Sequence, residues 1–531
     1  MYDLILKNVR IIDGTSAPWY RGSVAVKDGR IAKIGPDNGS FCGMDVGSSA
    51  KEVVDGEDLY LAPGFIDIHS HSDTALPCYP QAESRILQGV TTEIGGNCGL
   101  SVIPVSQDAA KKKQLSDYVG QLDYNWNNVG DYLDVMQRQG ISTNLGMVVG
   151  HGALRVAAMG FDSRKATAEE MQVMRGLLRQ ALEEGAFGMS SGLIYPPGCY
   201  ADTDELAELC KELTPYGAFY ATHMRNENTE IIEALNEALE IGRRSGAAVQ
   251  ISHHKVTRKS VWQLHVKTTI AMIDKARREG MDVQVDQYPY RATSTSLDSN
   301  APNWAFEGGV EGLLARLTDP QTRAEINRFA NETHVGRWQD TYVASVASEK
   351  NQWTVGKSIA EIAQIRGVDP ADACFDLVVE EKCRVNEVVY GMCEEDIEYI
   401  MGQPYTMIGS DGEAASLDYV GQPHPRWFGT FPRVIAHYCR ERKLFPLETA
   451  IFKMTGMTAS RLGLSDRGLI KEGNWADLVL FDFEKLQDSP DFERPKQACQ
   501  GIRRVYVNGV LTARDGLHTG VRAGMTLRKG K

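Results

Sequence analysis

The chain has 531 residues and a mass of 58.6 kDa, enough for one large barrel with attachments or for roughly three to four ordinary domains. Its 57 basic and 70 acidic residues leave a net charge of −13, a field that repels a phosphate backbone and argues against nucleic acid as a partner. With 42% hydrophobic and 24% charged residues, the composition belongs to a globular protein with more than one core, not to a disordered chain.

The first residues, Met1-Tyr2-Asp3-Leu4-Ile5-Leu6-Lys7, lack a basic segment followed by a long apolar run, and no later stretch approaches about 18 uncharged apolar residues. A cytoplasmic protein with no membrane partner is expected. Residues 1–62 read as strands and turns: Leu4-Ile5-Leu6, then Ser23-Val24-Ala25-Val26, then a hairpin turn at Lys27-Asp28-Gly29-Arg30 leading into Ile31-Ala32-Lys33-Ile34. From residue 63 a different rhythm begins. Short β-like runs ending in polar residues recur at 65–69, 91–96, 145–149, 186–190, 219–223, 249–253, 283–288 and 406–410. Amphipathic stretches at 168–184, 203–213 (with Asp202 as N-cap), 229–244 and 268–279 fall between them. This alternation predicts an α/β fold, a (β/α)8 barrel over 63–463 with its active site at the C-terminal ends of the strands. The gap between the seventh and eighth strands is too long for a connection, so an inserted subdomain or lid is expected at 292–350. Residues 464–531 return to strands, at 476–481 and 504–507, and are expected to join 1–62 in one small β-sandwich domain.

The 10 cysteines are scattered without a C-x-x-C pair, and most read as small buried hydrophobes. Lys111-Lys112-Lys113 reads as a solvated helix face. His151, after the third strand, is left outside the site. His69 and His71 are two apart at a strand end and so share a face, where both can point at one ion. Cys98 follows the second strand in Gly95-Gly96-Asn97-Cys98-Gly99, His223 the fifth and His253 the sixth. Four of the chain's 11 histidines therefore stand at one end of the expected barrel. Asp411, after the eighth strand, adds a carboxylate to that end. Such a group takes the proton when a metal-activated water attacks and returns it to a leaving group, which is hydrolysis.

These residues sit in Pro63-Gly64-Phe65-Ile66-Asp67-Ile68-His69-Ser70-His71, Gly96-Asn97-Cys98-Gly99, Ala221-Thr222-His223-Met224-Arg225, Ile251-Ser252-His253-His254-Lys255, Asp286-Gln287-Tyr288-Pro289-Tyr290, Gly409-Ser410-Asp411-Gly412 and His424-Pro425-Arg426-Trp427. In these motifs, over nearly its whole length, the chain resembles the amidohydrolase superfamily and, more closely, the N-acyl-D-amino-acid deacylase (D-aminoacylase) family. Many superfamily members carry a bridging carboxylated lysine after the fourth strand. Here that strand has none, and Cys98 stands where deacylases place a thiolate. The resemblance implies a tight zinc held by Cys98, His223 and His253, and a second, weaker position near His69, His71, Cys98 and Asp411. His253 is taken over His254 because its distance from His223 matches the family spacing; His254 is left as a core or supporting residue. The resemblance further implies that Lys255, Tyr288, Ser294 and Arg426 hold the substrate's α-carboxylate, with Tyr195 near the oxyanion and Asp411 as the proton carrier.

The expected function is zinc-dependent hydrolysis of N-acyl-D-amino acids to a carboxylate and a free D-amino acid. The preference for D substrates rests wholly on the resemblance. The resemblance implies that members acting on acidic D-residues bring an arginine from the segment after the seventh strand; here 292–315 contains no Lys or Arg, which favours neutral side chains, although Arg291 weighs the other way. Oligomeric state is left open. Two rival readings are a cyclic amidohydrolase of the hydantoinase or dihydroorotase type, which the missing lysine disfavours, and a non-enzymatic barrel, which the complete ligand set disfavours.

Overall fold

The protein is described by a computed structural model covering residues 1–35, 50–120, 122, 124–333 and 337–530. Cys42 lies outside the described residues; the other nine cysteines are free thiols. Eight parallel strands form one sheet in chain order: Phe65–Asp67, Val90–Gly95, Asn144–Gly150, Gly188–Gly192, Phe219–His223, Ala248–Ile251, Val283–Gln287 and Thr406–Ile408. Each matches one of the eight β-like runs. The first and last strands meet through a parallel bridge between Ser70 and Gly412, where Asp411 N donates to His69 O and His71 N to Gly412 O, both at 2.8 Å. The sheet thus closes into the expected barrel.

The barrel strands are buried on both faces, as parallel strands covered by helices must be. Helix Ala168–Glu183 starts at a capping box between Thr167 and Glu170, and Thr203–Cys210 starts where Asp202 accepts from Glu205 N at 2.9 Å. Ile231–Ser245 and His265–Arg278 follow, and their apolar faces join the strands in the main core. Inside the barrel Ile66, Ile94, Val148, Phe187, Ala221 and Met407 pack together with Leu462 and Leu527. Each large side chain buried there contributes about 1.5–3 kcal/mol. This apolar plug fills the interior, and the polar strand ends are left for the opposite mouth.

Both chain termini build a single nine-stranded sheet, in which Tyr60–Pro63 pairs in parallel with Tyr2–Ile11 and antiparallel with Leu478–Phe481. Among its sharp hairpins, Asp28-Gly29 and Asn508-Gly509 have φ of 51° and 76°, and of 49° and 80°. Both are the left-handed two-residue turns that match strand twist. The tips also touch: a Cβ on Gly509 would lie 2.7 Å from Gly29 Cα, so neither glycine has room for a side chain.

Between the seventh and eighth barrel strands lies a three-stranded antiparallel sheet of Ala292–Ser296, Val385–Tyr390 and Thr341–Val346, with Val385–Tyr390 in the middle. The inserted strands therefore run well past residue 350, the limit read from the sequence. Helices Val310–Thr318, Pro320–Thr333, Ile359–Arg366 and Pro370–Glu380 cover the sheet around a core that includes Leu297, Leu313, Phe375 and Val378. The insertion is tied to the barrel at several points. Tyr200 Oη donates to Asn303 O at 2.7 Å, Lys113 pairs with Glu311 at 2.9 Å, and Trp262 Nε1 donates to Gly391 O at 3.2 Å. Among the described residues, no helix is long and apolar enough to cross a membrane.

Candidate metal centre

The site is built on strand ends and the loops directly after them. Asp67, wholly buried on the first strand, accepts from His69 N at 3.1 Å and from Ser410 N at 2.9 Å, and it pairs with Arg85. One carboxylate thereby fixes the segments that carry His69 and Asp411. The Cys98 loop is held by close backbone approach: a Cβ on Gly96 would lie 2.0 Å from Val148 O, and one on Gly99 2.6 Å from Gly192 N. Cys98, His253 and Asp411 all have positive φ, at 53°, 35° and 52°. Side-chain-bearing residues pay to adopt this conformation, and such strain concentrates where a functional group must be aimed.

The structure brings the six expected ligands to one place. Cys98 Sγ is 3.3 Å from His69 Nε2 and 3.2 Å from His253 Nε2. Asp411 Oδ1 is 3.0 Å from His71 Nε2 and 3.5 Å from His69 Nε2. The His223 ring lies 4.4 Å from that of His253. The donor atoms of His69, Cys98, His253 and Asp411 lie within 4.8 Å of one another, as do those of His223, Glu227 and His253. Both nitrogens of His223 are buried without a hydrogen-bond partner, which is costly unless something else occupies them. A thiolate with imidazoles and carboxylates suits zinc, so the residues fit that ion.

The charges are arranged to match. Burial opposes ionisation of Cys98, but the imidazoles of His253 and His69 outweigh it and hold its pKa well below that of an ordinary thiol. Burial also opposes the Asp411 carboxylate, and Arg426, His253 and His71 outweigh it, so Asp411 stays ionised far below the usual carboxyl range. His254, the alternative to His253, points the other way, with Nε2 2.9 Å from Thr269 Oγ1 on helix His265–Arg278. His151 is bound to Glu205 at 2.8 Å.

The residues expected at the substrate are placed less uniformly. Arg426 stands at the centre: Nη1 is 2.9 Å from Asp411 Oδ2, Nη2 donates to Ser294 O at 3.2 Å, and the guanidinium lies 4.8 Å from the Tyr288 ring. The Nη1 contact is close but poorly aligned, and neither Nη1 nor Nε has a hydrogen-bond partner. Tyr195 packs against His223 with ring centres 5.0 Å apart, and its hydroxyl meets Thr295 Oγ1 at 3.1 Å. The Ser294 hydroxyl is engaged in the insertion sheet, donating to Glu387 O at 2.8 Å. Tyr288 directs its hydroxyl at Met392 Sδ, 3.8 Å away. Lys255 Nζ is 2.7 Å from Glu227 and 2.8 Å from His253 Nδ1.

Sequence reasoning missed two acids. Asp286 Oδ1 is 3.0 Å from His69 Nδ1 and accepts from His253 N at 2.7 Å; its signal was its place at the end of the seventh strand. Glu227 lies against His223, His253 and Lys255. Its only signal was a carboxylate four positions after a ligand histidine.

Residues 52–513 match the amidohydrolase family. The chain is 37% identical to a D-aminoacylase of Alcaligenes xylosoxydans xylosoxydans over 99% of its own length and 98% of that protein's. The chain belongs to the amidohydrolase family, in its N-acyl-D-amino-acid deacylase branch. An N-acyl-D-aspartate deacylase from the same organism is 36% identical, with 99% and 95% of the two chains covered. Among solved structures, an N-acyl-D-glutamate deacylase from Bordetella bronchiseptica, complexed with zinc and a phosphonate mimic of the tetrahedral intermediate, superposes with a TM-score of 0.83 at 32% identity, covering 99% of each chain. Within this amidohydrolase barrel the fourth strand supplies no lysine. Instead Ser190 accepts from Gly99 N at 3.0 Å and donates to Gly96 O, so that strand holds the Cys98 loop in place.

Proposed function

We propose that the protein hydrolyses the amide bond of N-acyl-D-amino acids, with zinc held by Cys98, His223 and His253 and a weaker position beside His69, His71, Cys98 and Asp411. The observation that carries this reading is the pairing at one barrel mouth of a thiolate–imidazole cluster with a buried arginine whose Nε and Nη1 make no aligned hydrogen bond, Nη1 meeting only the Asp411 carboxylate. The cluster suits zinc, and the guanidinium suits a substrate's free α-carboxylate. The relatives named above act on N-acyl-D-amino acids, which supports the same class of substrate for this chain.

Zinc held there by Cys98, His223 and His253 would supply a water of lowered pKa and a Lewis acid for the acyl carbonyl. Asp411, held ionised, accepts the proton of the attacking water. It then delivers that proton to the nitrogen as the C–N bond breaks, releasing a carboxylate and a D-amino acid. Arg426 orients the α-carboxylate, with the Tyr288 ring beneath it. Tyr195, beside His223, faces the developing oxyanion.

A neutral side chain on the substrate is supported by two features. The segment 292–315 brings no cation to the mouth. Arg291 turns outwards, with its side chain 63% exposed and Nε 4.0 Å from Glu394. We further assign the protein to the cytoplasm. The proton-carrier role is tested by Asp411→Asn: turnover should fall by roughly 10²–10⁴-fold at unchanged tight zinc content, and near-normal turnover would remove Asp411 from that role.

A further inference from the structure

We infer that Glu227 is a positioning residue, whose carboxylate receives the Nδ1 proton of His253 and so turns the Nε2 lone pair towards the metal. Nε2 is the nitrogen that faces Cys98 Sγ at 3.2 Å, and Nδ1, on the other side of the ring, faces Lys255 and Glu227. Two groups compete for Nδ1. Lys255 Nζ lies 2.8 Å from it, and Glu227 Oε1 lies 3.2 Å from it. An ammonium only donates and a carboxylate only accepts, so the partner chosen fixes the tautomer. A lysine partner requires the proton on Nε2, where it would block the metal. A glutamate partner requires it on Nδ1, which frees Nε2. A zinc-binding His253 is therefore compatible with Glu227 alone.

Glu227 is built for this task. It is buried, and it faces three groups at once: Lys255 at 2.7 Å, His253 at 3.2 Å and His223 Nε2 at 3.3 Å. Its backbone is fixed too, since Thr257 N donates to Glu227 O at 2.8 Å. The arrangement parallels Asp286, which stands 3.0 Å from His69 Nδ1 while His69 Nε2 faces the same thiol. Each histidine thus has one carboxylate behind it. The second consequence concerns Lys255: once Nδ1 carries the proton, the ammonium keeps Glu227 at 2.7 Å and the His253 carbonyl at 3.3 Å, and its third donor is free for a substrate carboxylate.

This rests on His253 being a zinc ligand, and the experiment separates the two claims. Zinc affinity would be measured by competition with a chelator for wild type, Glu227→Ala, Glu227→Gln and His253→Ala, with zinc-edge absorption to count ligands. We expect Glu227→Ala to lose roughly 10–100-fold in zinc affinity with the ligand count unchanged. Glu227→Gln, whose amide oxygen still accepts from Nδ1, should recover most of that loss. If Glu227→Ala does not fold, failure of the glutamine variant to keep near-native affinity overturns the inference by itself. Wild-type affinity in Glu227→Ala, or loss of an oxygen ligand from its zinc shell, would also overturn it, the latter by making Glu227 a ligand. Unchanged affinity in His253→Ala would instead overturn the ligand assignment beneath it.

Discussion

Cys98 joins the conformational and chemical demands of the site in one residue. With φ of 53° it sits where glycine is comfortable and other residues are not, yet the proposed zinc site calls for its sulfur. Without zinc, Cys98→Gly should be more stable than Cys98→Ala by about 1 kcal/mol, as read from denaturant midpoints, because only alanine keeps the strain. Both variants should lose tight zinc. Equal stability would mean that the loop relaxes and stores no strain. At this scale the sequence was informative where chemistry is carried by rare residue types. His69, His71, Cys98, His223, His253 and Asp411 could be read from strand-end positions, and they converge. Asp286 carried only a strand-end position and Glu227 only its spacing from His223, and neither signal tells a carboxylate behind a histidine from any other acid.

Among the elements, the insertion holds a buried acid whose behaviour follows from its surroundings. Glu387, on the middle strand Val385–Tyr390, is 3% exposed and accepts from Asn300 Nδ2 at 2.8 Å. Burial outweighs that bond and the nearby Arg337, and pushes its pKa up to about 8. A raised carboxyl pKa means that the folded protein holds a proton which the unfolded chain releases above about 4.5. The stability this gives is fully present below that value and is lost as pH rises towards 8, at up to ~1.4 kcal/mol per unit. Glu387→Gln should flatten the fall between pH 5 and 8 in urea midpoints; an identical slope in both proteins would contradict the burial argument. The barrel strands were legible because each falls in a short, largely apolar run that ends in polar residues. Val385–Tyr390 was not: it finds its partners across helices, and pairing at that separation leaves no local mark.

Across the whole molecule, the barrel and the terminal sheet are joined by a buried polar knot. Arg467 pairs with Asp477 and donates to Asn508 Oδ1 at 2.9 Å; Asn508 N donates to Asp477 Oδ1 at 2.7 Å. Asn508 Nδ2 reaches Asn144 Oδ1 at 2.8 Å, at the start of the third barrel strand. Asp477→Ala leaves Arg467 buried without its partner, and should cost about 3–5 kcal/mol in global stability measured by denaturation. A loss under 1 kcal/mol would show the knot to be incidental. That both ends of the chain belong together was readable from their matching strand runs, at 4–6, 23–26 and 31–34 and again at 476–481 and 504–507. The knot itself was not, since its members are ordinary polar residues brought together only by the fold.

The central claim, an amidohydrolase that deacylates D-amino acids, is tested most directly by amine release from matched N-acetyl-D- and N-acetyl-L-amino acids. The zinc-loaded protein would be given neutral, acidic and basic side chains, with a hydantoin alongside. Release from the D compounds alone, fastest with neutral side chains, is the predicted result. Turnover of the hydantoin with no release from any open-chain compound would contradict the account and make the protein a ring-opening enzyme.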